Sequence, residues 1–174
     1  MVHLRATHKV LRSVGPPVSS SDPPDTALGD WFVNRFVVAR RPLLLLVSSA
    51  SLLAILEPAR GVRSLPDRLP SLVGRRLRRL GVPDRLVRAE LEAMDEVRVA
   101  PTDDRSVLGT MVDFVNQVRY YGSVAERWDE SALAAVEGEL GCMPCRVTRS
   151  MDATVWPEQR ARELLGAPAV KERY

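Results

Sequence analysis

The sequence predicts a single α+β domain, and three observations carry that prediction. An aromatic and β-branched run from Trp31 to Ala39 is followed by the unbroken apolar run Leu43 to Val47, which reads as two paired strands. Further along, apolar residues recur at spacings of three and four over several stretches, the signature of amphipathic helices. The 174 residues, 45% hydrophobic and 27% charged, suit one domain and exclude a mostly disordered or collagen-like chain.

Taken in order, Val2 to Ala6 reads as a short first strand. Thr7 to Val14 reads as a helical turn or two, capped by Thr7 and stopped by Gly15-Pro16-Pro17. Between Gly15 and Gly29 lie Pro16, Pro17, Pro23 and Pro24 with a Ser19-Ser20-Ser21 run, so a mobile surface loop is expected. Trp31 to Ala39 and Leu43 to Val47 then form a hairpin through Arg40-Arg41-Pro42. The second of these runs lacks polar alternation, which places it centrally, with both faces covered. Helices must therefore pack on the sheet.

Three helices are predicted next: Ser51 to Leu56, ended by Pro58; Leu65 to Leu80, ended by Gly81; and Pro83 to Met94, with Pro83 at the first helical position. In the second, Leu65, Leu69, Leu72, Val73, Leu77 and Leu80 make one buried stripe. Val97 to Ala100 reads as a strand and Ser106 to about Tyr121 as a longer helix. Ser131 to Leu140 and Glu158 to Leu165 are helical segments of the remainder. The expected architecture is a small mixed or antiparallel sheet built on the central hairpin, with a core domain over residues 1–122. Residues 123–174 read as a C-terminal helical extension packed on that core.

Charge and composition exclude several classes of function. Lys and Arg total 25 against 22 acidic residues, for a net charge of +3, and 23 of the 25 are Arg. That excess is small for a polyanion binder. Arg75, Arg76, Arg78, Arg79, Arg85 and Arg88 concentrate on the outer faces of two predicted helices, yet no aromatic residue lies between Phe36 and Phe114 to interleave with them. Nucleic-acid binding is thus disfavoured. The segment from Pro42 to Leu56 is the most hydrophobic, but 15 residues with three serines fall short of the roughly 20 that cross a bilayer. Met1 to Val14 lacks the apolar core of a secretory signal, and two cysteines three positions apart cannot staple a fold of this length. A cytoplasmic protein without a membrane partner is expected.

Chemistry-bearing residues are few. On the Ser106 to Tyr121 helix, Ser106, Thr110, Asp113 and Gln117 share one side, with Arg105 at its start and Gly109 inside it. A helix-interior Gly costs about 1 kcal/mol relative to Ala, so Gly109 is expected to let the helix approach a neighbour closely, and Arg105 to pair with a carboxylate. In Leu28-Gly29-Asp30-Trp31, the Gly suits a positive φ before a strand while Asp30 bonds nearby backbone donors. The functional alternative gathers Asp30, Arg105, Ser106 and Asp113 in one polar cleft, with Arg105 clamping an anion, Asp113 or Asp30 as general base and Ser106 as donor.

Cys142-Met143-Pro144-Cys145 has the Cys-x-Pro-Cys form of thioredoxin-like redox sites, but it follows a helical segment, whereas that chemistry sets the first thiol at a helix N-terminus. Inert thiols in a packed turn are expected. These two thiols with His3 and His8 far upstream do not make a zinc site. No Gly-x-Ser-x-Gly elbow surrounds any Ser. Neither a metal nor a cofactor is expected.

His3 to Leu11, Thr26 to Phe32 and Arg105 to Phe114 resemble the three signature blocks of a bacterial family of uncharacterised proteins, catalogued as a domain of unknown function. Leu43 to Pro58 and Pro144-Cys145 are similar as well, so the resemblance runs through most of the chain. The family pattern carries Asn where this chain has Val112, and no polar role carries over to that position. The resemblance implies a shared cytoplasmic single-domain fold and no activity. The resulting functional expectation is a ligand- or partner-binding regulatory module, with a hydrolase or transferase acting on an anionic small molecule as the alternative and a weak nucleic-acid binder after it.

Overall fold

The structure, a computed structural model, describes residues 1–19, 22–122, 128–146 and 154–168. Val2–Ala6 forms β1, Trp31–Val38 β2, Arg41–Ser48 β3, Ala54–Pro58 β4 and Val97–Pro101 β5. They lie in the order β4-β3-β2-β1-β5. β1 runs parallel to both β2 and β5, while β2, β3 and β4 form an antiparallel meander, so the sheet is mixed. The α+β class read from the sequence is the class observed, with β3 inside the sheet and apolar on both faces.

Six α-helices occur among the described residues: α1 (His8–Val14), α2 (Leu65–Arg79), α3 (Asp84–Ala93), α4 (Arg105–Gly122), α5 (Glu130–Gly141) and α6 (Pro157–Leu164). A short hairpin of β6 (Cys145–Arg146) and β7 (Thr154–Val155) separates α5 from α6.

The two-residue period of the strands divides the interior into two cores. Trp31 and Val33 of β2 with Leu44 and Leu46 of β3 face α1, α2 and α3, whose Val10, Leu69, Val73, Leu77 and Val87 are buried against them. Phe32, Phe36, Leu43, Leu45 and Val47 face the other way, under Met111, Phe114 and Val118 of α4 and Leu133 and Leu140 of α5. The chain after residue 122 thus supplies one wall of the second core.

Four local expectations are corrected. Ser51 to Leu56 is not a helix: residues 54–58 form β4. Six residues cannot repay helix nucleation, whereas pairing with β3 satisfies the backbone and buries Ile55 and Leu56. The serines make the turn instead. Ser51 N donates to Ser48 Oγ at 3.1 Å and Leu53 N to Ser51 Oγ at 3.2 Å, with Leu52 at φ +62°. The β2–β3 connection is Ala39-Arg40, with Arg41 and Pro42 already in β3; φ values of +46° and +64° give the two-residue geometry whose twist suits a hairpin. Thr7 does occupy the N-cap position of α1, but its hydroxyl donates to Asn34 Oδ1 at 3.2 Å and makes no cap bond. Finally, a Cβ on Gly109 would meet nothing within 4 Å. The close approach falls at Gly122, where a Cβ would collide with Val38 and Trp128.

Candidate functional site

Asp30 is placed by its turn. Gly29 takes φ +74°, Thr26 Oγ1 donates to Gly29 O at 2.8 Å, and the buried Glu90 carboxylate accepts from Ala27 N at 2.8 Å and Leu28 N at 3.0 Å. Burial pushes the Glu90 carboxyl up, against the two backbone N–H groups that favour its charged form. The turn delivers Asp30 to the start of β2, beside β1. There Asp30 Oδ1 accepts from His3 N at 2.9 Å and faces His3 Nδ1 at 3.2 Å, and Oδ2 accepts from Arg5 Nε at 2.6 Å. Arg5 continues to Asp103 at 2.6 Å, just ahead of α4.

This cluster is closed. His3 is 0% exposed and its Nε2 has no hydrogen-bond partner, and Asp30 is 5% exposed with both oxygens engaged. Such a carboxylate is held by charge-assisted bonds and is not presented to a substrate. Arg105, Ser106 and Asp113 are all exposed on α4. Among the described residues no hydrogen bond or ion pair joins any of the three to Asp30. The α4 N-terminus is capped from within, because Asp104 Oδ1 accepts from Ser106 N at 2.7 Å.

A second polar cluster stands at the β4 edge of the sheet. β4 has a free edge, and side chains satisfy it: Leu56 N donates to Glu137 Oε1 at 2.8 Å, and Arg76 Nε donates to Ala54 O at 3.1 Å. Arg76, 4% exposed, also bonds Glu137 O at 3.0 Å and Glu158 Oε1 at 2.7 Å. Glu137, 1% exposed, lies 3.3 Å from Arg79, which reaches Glu130 at 2.6 Å. Burial raises the Glu137 carboxyl, opposed by the Leu56 N–H and by Arg76, Arg79 and Arg75.

Unlike the first cluster, this one borders open space. A cleft of 1290 Å³ runs between the C-terminal end of α2, the outer face of α5 and α6. Ala134, Ala135, Gly138, Gly141 and Cys142 give α5 a low floor there, Arg79 and Arg162 lie across it, and Trp156 is 45% exposed at its side. Arg162 donates to Leu80 O and, at 2.6 Å, to Pro168 O.

A family model described as a domain of unknown function, DUF6933, matches residues 3–160. The chain belongs to this family. No curated protein matches it. The matched span of the DUF6933 domain includes both polar clusters and most of the cleft, although Arg162 lies just beyond it.

In this DUF6933 domain the two thiols are free, with Cys142 exposed and Cys145 half-buried. Cys142 follows α5 and sits at its C-terminal end, where the helix dipole disfavours a thiolate. Burial raises the Cys142 thiol, helped by Glu158 and Glu139, and burial with Asp113 pushes Cys145 up to about 11. Neither thiol is set up as a redox nucleophile.

The Arg run of α2 and α3 is not a uniformly outward basic face, which corrects the sequence reading. Arg76 is buried, Arg75 pairs with Glu57, and Arg78 and Arg88 each lie 3.5 Å from Asp84. Arg85 alone of the six has no ion pair among the described residues. No described helix is long and apolar enough to cross a membrane, and no group of three metal-binding side chains occurs among the described residues.

Sequence reasoning singled out Asp30 but missed His3 and Arg5 as its partners, and it missed Glu137, Glu158, Trp156 and Arg162 as parts of one region. A signal for Arg76 and Glu137 was present. Arg76 falls four residues after Leu72 and Glu137 four after Leu133, on the buried stripes of their helices.

Proposed function

We propose that this DUF6933 domain is a cytoplasmic binding module and that the cleft between α2, α5 and α6 is its ligand site. One observation carries this reading: a large concave surface with a small-residue floor, a half-exposed Trp and convergent guanidinium groups, the kind of surface that orients a bound molecule. The closed Asp30 cluster supports binding over catalysis, since its His and carboxylate are shut away from any substrate.

A thermal-shift screen of a small-molecule library tests the proposal. Gly138→Phe fills the cleft and leaves the unliganded melting temperature nearly unchanged, because a Cβ at Gly138 has nothing within 4 Å. Compounds that raise the melting temperature of the native protein are expected to lose that effect in the variant. Shifts that survive Gly138→Phe, or a screen without any hit, would overturn the reading.

A further inference from the structure

We infer that the cleft selects an aromatic anion, a flat ring bearing a carboxylate or a similarly charged group; this rests on the cleft being the ligand site. Among the described residues, the charge pattern around it leaves one cation unanswered. Arg76 has Glu158 and Glu137, and Arg79 has Glu130 and Glu137. The Glu163 carboxylate on the same wall accepts from Gln159 Nε2 at 2.8 Å and lies 3.7 Å from Arg160. Arg162 is different: half-buried, it is held, among the described residues, only by the neutral carbonyls of Leu80 and Pro168.

Those carbonyls fix the plane of the guanidinium and leave each Nη with a second N–H. A carboxylate arriving there supplies the missing countercharge without a rearrangement of the side chain. Trp156 presents a ring to the same space, and the alanine and glycine floor of α5 allows a flat group to lie close. Ring and charge together define the ligand better than either alone. An apolar molecule leaves Arg162 uncompensated, and a cation adds a like charge beside it.

Cys142 lines the cleft and is exposed, so its alkylation by iodoacetamide, mapped by mass spectrometry, reports occupancy. Three probes sharing one ring separate the chemistry: 2-naphthoate, 2-naphthylmethanol and 2-naphthylmethylammonium. Naphthoate is expected to bind most tightly and to slow Cys142 alkylation. Arg162→Gln should weaken naphthoate by at least about tenfold while leaving the alcohol unchanged, and Arg162→Lys should recover part of the loss. Trp156→Leu should weaken all three probes together, a readout independent of how Arg162 variants fold. If the alcohol and the ammonium bind as well as naphthoate and Gly138→Phe blocks all three, the anion selectivity is wrong and the cleft stands as a site. If none of the three slows alkylation, the inference falls, and the library screen judges the broader reading separately.

Discussion

Two regions of the sheet, its interior at β1 and β2 and its edge at β4, handle buried charge in opposite ways. Beside β1, Asp30 is enclosed by His3 and Arg5 and nothing approaches it from solvent. Beyond β4, Arg76 and Glu137 are buried to a similar degree, yet Arg76 lines a cleft that is also lined by Arg79, Arg162 and Trp156. Buried polarity is common to both regions. What sets the proposed ligand site apart is Arg162, a cation without a carboxylate partner among the described residues, which lines open space.

The comparison can be broken most severely at Arg76. Arg76→Ala leaves Glu137 buried with a weaker countercharge and strips Ala54 O of its donor, so a loss of about 3–5 kcal/mol is expected in denaturant unfolding. A loss below about 1 kcal/mol would show the wall of the cleft to be as tolerant as an exposed ion pair. Asp30→Asn tests the closed cluster. It keeps the shape and removes the charge facing Arg5 and His3, so about 2–3 kcal/mol should be lost with no change in ligand-induced melting shifts. A selective loss of those shifts would move the proposed ligand site to the Asp30 cluster beside β1.

Glu90 sharpens the contrast, because it holds the turn that carries Asp30. Its folded pKa lies above the unfolded value of 4.5, so the fold binds more protons between the two. The proton-linked part of its contribution to stability is then lost as pH rises through that window, while its bonds to Ala27 N and Leu28 N remain. Glu90→Gln should cost about 1–2 kcal/mol at neutral pH and flatten this part of the stability profile, measured by unfolding at a series of pH values. An unchanged slope would assign it to Glu137 instead. The smallest effect is at Gly109, on the exposed face of α4. Gly109→Ala should stabilise by about 1 kcal/mol, since the new methyl meets nothing and only helix propensity changes. Destabilisation would mean that this face is covered in solution.

Much of the fold was legible because its elements are encoded locally. The aromatic and β-branched run of β2, the apolar run of β3 and the stripe of α2 each mark an element without reference to the rest. The error at β4 has the complementary cause. Ala54-Ile55-Leu56 is too short to show a period, and only the neighbouring β3 decides that it is a strand. The candidate site was less legible. Asp30 could be singled out, but its partners lie 25 and 27 residues earlier, and the ladder between β1 and β2 sets that distance.

By itself the sequence determined the α+β class, the positions of most strands and helices, and, through their stripe positions, which charged residues go inside. Arg76, Glu90 and Glu137 each stand where a leucine or valine would continue a buried face, and local periodicity fixes that much. Tertiary structure alone decided what those charges meet. Arg76 finds Glu158 82 residues later, Leu56 N finds Glu137 81 residues later, and Arg162 reaches back 82 residues to Leu80. Pairings at such separation follow from how the helices pack on the sheet, and no local pattern encodes them. The cleft exists for the same reason: it is the space left where α2, α5 and α6 meet without filling it.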